Sequence, residues 1–569
     1  MCTINDKHFA KSAPHDPRDD NMTYTRFIAV ITCLTMPTVI APAIKADTDR
    51  PNIIYIMADD LGYGDAAPFG LERSKVPTPG MTQLAKEGMR FTDAHSIASV
   101  CVPSRLAIMT GRYPWRIEGQ SGSGPWGFIA PRFTPGHHTL AHLLNDAGYQ
   151  TGYIGKWHLG LKMVTTDGKT QTIGNVDYAK PVKAGPNDHG FDYSFILPGS
   201  LDMYPYVYLR NQSFLGRVNK QRGWSAFNRV GPTEEQFEDY EVLQTFRGEV
   251  NQFIARNAKA AKSGNPFFLY FALTSPHTPT SPHPDFQGKT DIGVYGDFVY
   301  ETDHCIVSTL NALKKHGLDH NTIVIFTSDH GPAPYAGNIL KATYDNVKGL
   351  EAQGHYPAGP LRGYKFSVYE GGTRIPFLIK WPKQIKPGTT CDRLIGLNDL
   401  LATVADITDS ELSTDQAVDS ISYLPLLSNP QGDAIRTNLQ IQGTHGWAYR
   451  MGDWKLCLCP GSGAVGVYGN VPKQMDAWAA AVNEFGKQPT RDQLLEAPFV
   501  QLFNLKDDLE EQHDLALKHP EIVQKMYALM NTQFANGRST PGPQQENDRK
   551  NLNYWSRIPP GTLAKESNN

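Results

Sequence analysis

Two apolar runs in this chain each end in acid. Residues 52–57 (NIIYIM) lead through Ala58 into Asp59-Asp60, and residues 322–327 (TIVIFT) lead through Ser328 into Asp329-His330-Gly331. If both runs are strands of one sheet, three carboxylates and an imidazole meet at one sheet edge, where they repel each other unless a cation sits among them. Asp59 or Asp329 alone reads as a helix cap or the start of a turn. Both together, each behind an apolar strand, read as metal ligation by Asp59, Asp60, Asp329 and His330. Hard oxygen donors favour Ca2+ or Mg2+, and the imidazole leaves room for a softer ion.

A second group of residues is Cys101-Val102-Pro103-Ser104-Arg105, followed by LAIMTGR at 106–112. Pro103 and Ser104 suit a helix start, with Leu106, Ile108 and Met109 in a buried first turn. Cys101 is then expected just before a helix N-terminus, where backbone N–H groups and the dipole attract anions. Taken alone, such a cysteine is a small buried residue. A thiolate nucleophile is the next reading, and no matched Cys-His-Asn signature supports it.

The elements that must position these groups follow from pattern. Strand signals at 52–57, 268–273, 322–327 and 375–379 alternate with helix-like stretches at 80–89, 139–147 and 300–316, each with a glycine (Gly88, Gly148, Gly317) at its end. This alternation predicts an α/β fold, a large, mostly parallel sheet sandwiched by helices. After about residue 430 the pattern changes to short antiparallel strands at 447–450, 454–456 and 501–505, then a terminal amphipathic helix at 519–534. The expected organisation is a catalytic domain at 47–430, a C-terminal subdomain at 431–536 and a fraying tail at 537–569.

The first 46 residues read as a secretory signal peptide: Arg26, the apolar run 27–44, then small residues at Ala41, Ala43 and Ala46, with Met22 a candidate true start. An uncleaved N-terminal anchor is the rival reading. A chain of 569 residues with 40% hydrophobic and 20% charged residues is not disordered. Lys and Arg number 54 against 57 Asp and Glu, a net charge of −3 that disfavours a nucleic-acid partner. Seven cysteines are too sparse for a disulfide scaffold, though a bridge from Cys391 to Cys457 or Cys459 stays open.

The two groups belong to a longer series. Ala58-Asp59-Asp60, the segment at 101–112, G-K-W-H-L-G at 155–160, S-P-H-T-P at 275–279, S-D-H-G at 328–331, K-F-S-V-Y-E-G-G-T-R-I-P at 365–376 and L-F-N-L-K-D-D-L-E-E at 502–511 occur in this order. The series resembles the type I, formylglycine-dependent sulfatases of the alkaline phosphatase superfamily, over roughly residues 51–535.

The resemblance implies that Cys101 is oxidised to formylglycine (3-oxoalanine) by a formylglycine-generating or sulfatase-maturating enzyme. The hydrated aldehyde carries two hydroxyls, one to attack sulfur and one whose deprotonation expels sulfate. Asp59, Asp60, Asp329 and His330 match the positions that hold a divalent ion, usually Ca2+. The family carries either Asn or His at the position of His330, which bears on the ion's identity more than on its presence. Arg105 matches the residue that steadies the diol, and Lys156 and Lys365 the cations that clamp sulfate oxygens. His158 matches the base for hemiacetal collapse and His277 the acid that protonates the leaving alcohol.

The implied activity is hydrolysis of sulfate esters on a carbohydrate by an exported, periplasmic or extracellular bacterial enzyme. The Y-P-W-R and Q-S-G segments and L-D-M-Y-P-Y at 201–206 are most similar to galactosamine-6-sulfatase relatives, implying exo-acting removal of 6-O-sulfate from GalNAc or galactose in glycosaminoglycan or algal polysaccharide. A phosphate or phosphonate ester hydrolase on the same scaffold, and a catalytically silent protein that binds sulfated glycans, are the alternatives. Trp115, Trp126, Arg116, His137, His138, Asp202 and the tyrosines at 204, 206 and 208 are candidates for sugar contacts, with packing an equal reading for each.

Overall fold

The computed structural model describes residues 50–549 except 118–125, 135, 224–227, 338–345 and 465–495. Every described residue belongs to one compact unit. The leader expected over the first 46 residues, and the Q-S-G segment at 120–122, lie outside the described residues.

The first apolar run forms β1 (Asn52–Asp59), buried along its whole length. In chain order it is joined in one sheet by β2 (Met89–Phe91), β3 (Gln150–Lys156), β4 (Tyr193–Leu197), β5 (Leu209–Arg210), β6 (Ser213–Phe214), β7 (Phe267–Pro276), β8 (Thr322–Ser328), β9 (Phe377–Lys380) and β10 (Thr389–Cys391). The spatial order is β10-β2-β9-β8-β1-β7-β3-β4-β5-β6. The five strands from β8 to β4 run parallel, whereas β9 lies antiparallel to both β8 and β2. Successive residues of β1 enter opposite cores, Ile53, Tyr55 and Met57 on one side, Ile54, Ile56 and Ala58 on the other. A strand covered on both faces must be apolar throughout, which is why β1 reads as an unbroken run.

Helices pack on both faces. Phe246 and Phe253 of α4 (Val242–Lys262), Phe298 and Ile306 of α5 (Val294–Lys315), and Met81 and Leu84 of α1 (Pro79–Glu87) fill one core. Leu106 and Met109 of α2 (Cys101–Thr110), Leu140 and Leu144 of α3 (Leu140–Asp146), and Leu401 and Val404 of α6 (Leu400–Thr408) fill the other. Several elements differ from expectation. The helix α5 starts six residues early, because Asp297 faces inward and accepts from the amides of Gly288, Lys289 and Thr290. The strand β9 starts after Pro376, which has no N–H to give a ladder. The long helix α4 was not foreseen, although Gly264 (φ 87°) and Pro266 follow its last turn.

Beyond residue 430, β11 (Asn438–Gln442), β12 (Trp447–Met451), β13 (Trp454–Leu458) and β14 (Val500–Asn504) form a separate antiparallel sheet covered by α7 (Pro520–Ala535). Its core is not its own: Tyr449, Leu456, Met526 and Phe534 pack in one cluster with Tyr113, Trp115 and Tyr369. The chain after 536, expected to fray, is held as far as 549. The amides of Ser539 and Thr540 donate to the carbonyl of Val418, and Arg116 donates to Asn547 at 2.8 Å. The buried Arg116–Asp419 pair needs these extra polar partners, and the returning chain supplies them. Cys391, Cys457 and Cys459 are free thiols, so neither bridge forms. Among the described residues no helix is long and apolar enough to cross a membrane.

Candidate active site

The register of the sheet assembles the acidic groups. Ala58 of β1 lies opposite Ser328 of the parallel β8, so the residues that follow, Asp59-Asp60 and Asp329-His330, emerge side by side at the carboxyl ends of their strands. Asp60 takes a left-handed backbone (φ 63°), which a short polar side chain tolerates, and its amide donates to Asp329 Oδ1 at 3.2 Å. On the other flank of β1, β7 delivers His277 and the next strand, β3, delivers Lys156 as its last residue. His158 follows two residues later, fully buried, with φ 49° and its amide on the carbonyl of Pro198.

Helix α2 supplies two more groups. It starts at Cys101 itself, two residues before the expected Pro103, whose missing N–H falls in the first turn where no intrahelical partner exists. The four-residue spacing puts Cys101 and Arg105 on one face. Arg105 reaches Asp329 Oδ2 at 3.0 and 3.1 Å and Asp59 Oδ1 at 3.2 Å. Lys156 Nζ lies 2.7 Å from Asp59 Oδ2, and Lys365 Nζ 2.7 and 2.9 Å from the two oxygens of Asp60. Cys101 Sγ lies 3.2 Å from His330 Nε2, which is 3.3 Å from Asp60 Oδ1. His277 Nε2 lies 3.6 Å from Asp60 Oδ2. Nine of the ten residues singled out by sequence are therefore joined by contacts, and His158 stands just beyond Lys156.

The two cluster histidines have defined tautomers. Nδ1 of His277 lies 2.6 Å from the carbonyl of Thr278, and Nδ1 of His330 lies 2.9 Å from that of Gly331. A carbonyl only accepts, so each Nδ1 carries a proton and each Nε2 faces the cluster. Burial would raise both Asp59 and Asp60. Lys156, His277 and Arg105 outweigh it to hold Asp59 well below the usual carboxylate range, and His277, Lys365 and His330 lower Asp60. Burial pushes the Cys101 thiol up to about 12 although Lys156 and Lys365 oppose it, so the residue is a neutral thiol at neutral pH.

The donor set fits a divalent ion. One oxygen each of Asp59, Asp60 and Asp329 lie within 4.8 Å of one another, as do Sγ of Cys101, a carboxylate oxygen of Asp329 and a ring nitrogen of His330. The three carboxylates balance Arg105, Lys156 and Lys365; a divalent ion added to that set would leave it net cationic, as an anionic ester requires.

The sulfatase family model matches residues 51–410. The chain belongs to the sulfatase family. Its reaction class is accordingly sulfuric ester hydrolysis. The N-acetylgalactosamine-6-O-sulfatase of Bacteroides thetaiotaomicron is 31% identical over 516 residues, covering 85% of this chain and 93% of that protein. The human steryl-sulfatase is 31% identical, with 66% of this sulfatase and 70% of the human protein covered. A solved structure from work on glycosaminoglycan metabolism by B. thetaiotaomicron superposes with a TM-score of 0.70 at 30% identity, covering 85% and 99% of the two chains. A phosphonate monoester hydrolase from Silicibacter pomeroyi, at 16% identity and TM-score 0.55 over 88% and 96%, shares the fold.

Some sugar-contact candidates of this sulfatase are packing residues. Trp115 is fully buried 4.0 Å from the ring of Phe534, with Arg116 stacked over it and paired with Asp419. His137 and His138 line a cleft that none of the cluster residues lines. Asp202 does reach the site: it is 3% exposed, and its Oδ1 lies 3.8 Å from His277 Nδ1. Its other oxygen pairs with Arg229, which stacks over Trp126, which in turn meets Tyr204 edge-on at 5.4 Å. Arg229 carried no sequence signal. Tyr335, whose ring lies 5.7 Å from Lys365 Nζ, could have been suspected from its place four residues after the S-D-H-G segment.

Proposed function

We propose that the enzyme removes 6-O-sulfate from GalNAc or galactose at the end of a sulfated glycan, outside the cytoplasm of a bacterial cell, with Cys101 converted to formylglycine and Ca2+ held by Asp59, Asp60, Asp329 and His330. The observation that carries this reading is the contact of Cys101 with His330 inside a buried set of three carboxylates and three cations. The N-acetylgalactosamine-6-O-sulfatase relative supports the choice of sugar.

A hydrated formylglycine supplies the hydroxyl nucleophile that a neutral buried thiol cannot, and the divalent ion supplies Lewis acidity at a sulfate oxygen. Lys156 and Lys365 bind the remaining anionic oxygens, and Arg105 locks Asp59 and Asp329 in place across the α2 face. His277 keeps Nδ1–H on the Thr278 carbonyl, so it acts as acid in its imidazolium form, giving the Nε2 proton to the departing alcohol and remaining as the Nδ1–H neutral ring. His158 takes the role of base for sulfate release. Among the described residues, Asp202 Oδ1 has no hydrogen-bond donor, and it is suited to accept a sugar hydroxyl against the Trp126–Tyr204 wall.

Sulfate release from defined sulfated oligosaccharides, paired with mass spectrometry of the peptide spanning Cys101 from the native host, tests the reading. An aldehyde at 101 and sulfate from a 6-sulfated galacto-sugar are expected. A thiol at 101 in a fully active preparation, or no sulfate from any 6-sulfated galacto-sugar, rejects it. Chelation should lower activity and the thermal midpoint together, with Ca2+ restoring both.

A further inference from the structure

A second cleft, of about 350 Å³, opens along residues 358–364, the segment that precedes Lys365, and is lined by none of the catalytic cluster. We infer that this cleft is a secondary binding site for an anionic sugar unit of a sulfated glycan, an inference that rests on the glycan substrate proposed above. Three cations line it, and each lies against a tyrosine: Arg73 at 5.6 Å from the ring of Tyr356, Lys348 at 5.7 Å from Tyr364, and Arg362 at 4.3 Å from Tyr369. One carboxylate, Glu351, is among the lining residues, and it is occupied by Lys348 at 2.7 Å and by the Tyr364 hydroxyl. The cleft is thus net positive in a chain whose overall charge is −3, so general basicity does not account for it.

The side chains are held for use. Arg73 donates to the carbonyl of Gly359 at 3.3 Å and Arg362 to that of Glu511 at 2.5 Å, one backbone contact for each guanidinium. A guanidinium has five N–H donors, and the contacts of Arg73 to Gly359 and, at 3.8 Å, to Glu510 leave capacity for a sulfate or uronate. Tyr356 is 37% exposed and offers a ring for the apolar face of a sugar. Cations beside aromatic rings in a cavity of this size suit an anionic carbohydrate better than a simple ion or an apolar ligand. The wall formed by residues 358–364 runs directly into Lys365, whose Nζ is bonded to Asp60, so one segment serves both sites. A glycan whose end occupies the catalytic site has its next sugars to place, and this cleft takes one of them.

Native affinity electrophoresis in gels containing chondroitin 6-sulfate, carrageenan or heparin tests the site without turnover. The unaltered enzyme is expected to be retarded by at least one polymer. The double substitution Arg73→Ala/Lys348→Ala should weaken that dissociation constant tenfold or more, while Lys518→Ala/Lys525→Ala, exposed cations elsewhere, should change it less than twofold. Hydrolysis of a small aryl sulfate and the thermal midpoint report whether the double variant is folded. No retardation of the unaltered enzyme, or equal retardation of the two variants, overturns the inference. Retardation lost in the cleft variant, with no sulfate released from any 6-sulfated galacto-sugar, would sink the proposed substrate and leave the cleft standing.

Discussion

His277 and His330 spend Nδ1 on the carbonyls of Thr278 and Gly331, and that commitment decides what Nε2 can do. Replacing His277 by Gln should cost about 10²–10⁴ in kcat on sugar sulfates, whose alcohols need a proton to leave. The same variant should lose far less on nitrophenyl sulfate, whose phenolate leaves unaided; equal losses on both would remove His277 from the acid role. His189 makes a stability prediction. Burial against Phe133 (4.1 Å) and Trp157 pushes its pKa from 6.5 down to about 4, with His142 adding to the shift. An unfolded chain then binds the proton first, so this residue's stabilising share is complete above pH 6.5 and drains away as pH falls to about 4. Its size is about 2 to 3 kcal/mol, trimmed for a ring that water partly reaches. His189→Gln should flatten the thermal midpoint between pH 6.5 and 4; an unchanged slope would contradict it. At this scale the sequence was informative where residue type met position. Acids after apolar runs named Asp59, Asp60, Asp329 and His330, whereas Cys101, Arg105, Lys156, Lys365, His158 and His277 were assigned only through the resemblance to the sulfatases. Asp202's pairing with Arg229, 27 residues away, had no local signature, since an ion pair across loops leaves no periodicity.

Strands and helices carry these groups to within reach, and some backbones come too close for any side chain. Gly155 precedes Lys156 with φ 119°, and a Cβ there would meet the Ala272 carbonyl oxygen at 1.7 Å. Gly155→Ala should destabilise the protein by more than about 3 kcal/mol, read as a fall in thermal midpoint or in soluble yield. A variant as stable as its parent would mean that β3 and β7 are not so tightly paired. The sheet was legible because strands covered on both faces are continuously apolar, and α2 because Pro103 and Ser104 suit a helix's first turn. The opening turns of α5 were not, because Asp297 looks like a loop residue until its buried amide partners are seen.

Across the whole molecule, the small sheet and the segment 365–374 are tied by charge. Lys455 of β13, fully buried, bonds Glu370 at 2.8 Å and pairs with Glu511 at 3.0 Å, and Glu370 also holds Arg374 at 2.6 Å. Glu370 lies five residues beyond Lys365. Lys455→Met should cost about 3–5 kcal/mol by leaving buried acids without their cation, and should lower kcat as the Lys365 segment loosens. Loss of stability with full activity would show the small sheet to be a passive cover. The boundary near 430 was visible in the sequence as a change of strand pattern, but the shared core around Trp115 and Phe534 was not, because it joins residues more than 400 apart. The same long reach governs timing. Among the described residues, the strand that carries Asp59 pairs with Phe267–Pro276 and Thr322–Ser328, so more than 200 residues must be synthesised before these hydrogen bonds can close. Such distant pairings fold slowly. The Cys101 thiol is 3% exposed in the finished molecule, so the formylglycine conversion proposed above requires a chain whose sheet has not yet closed over it.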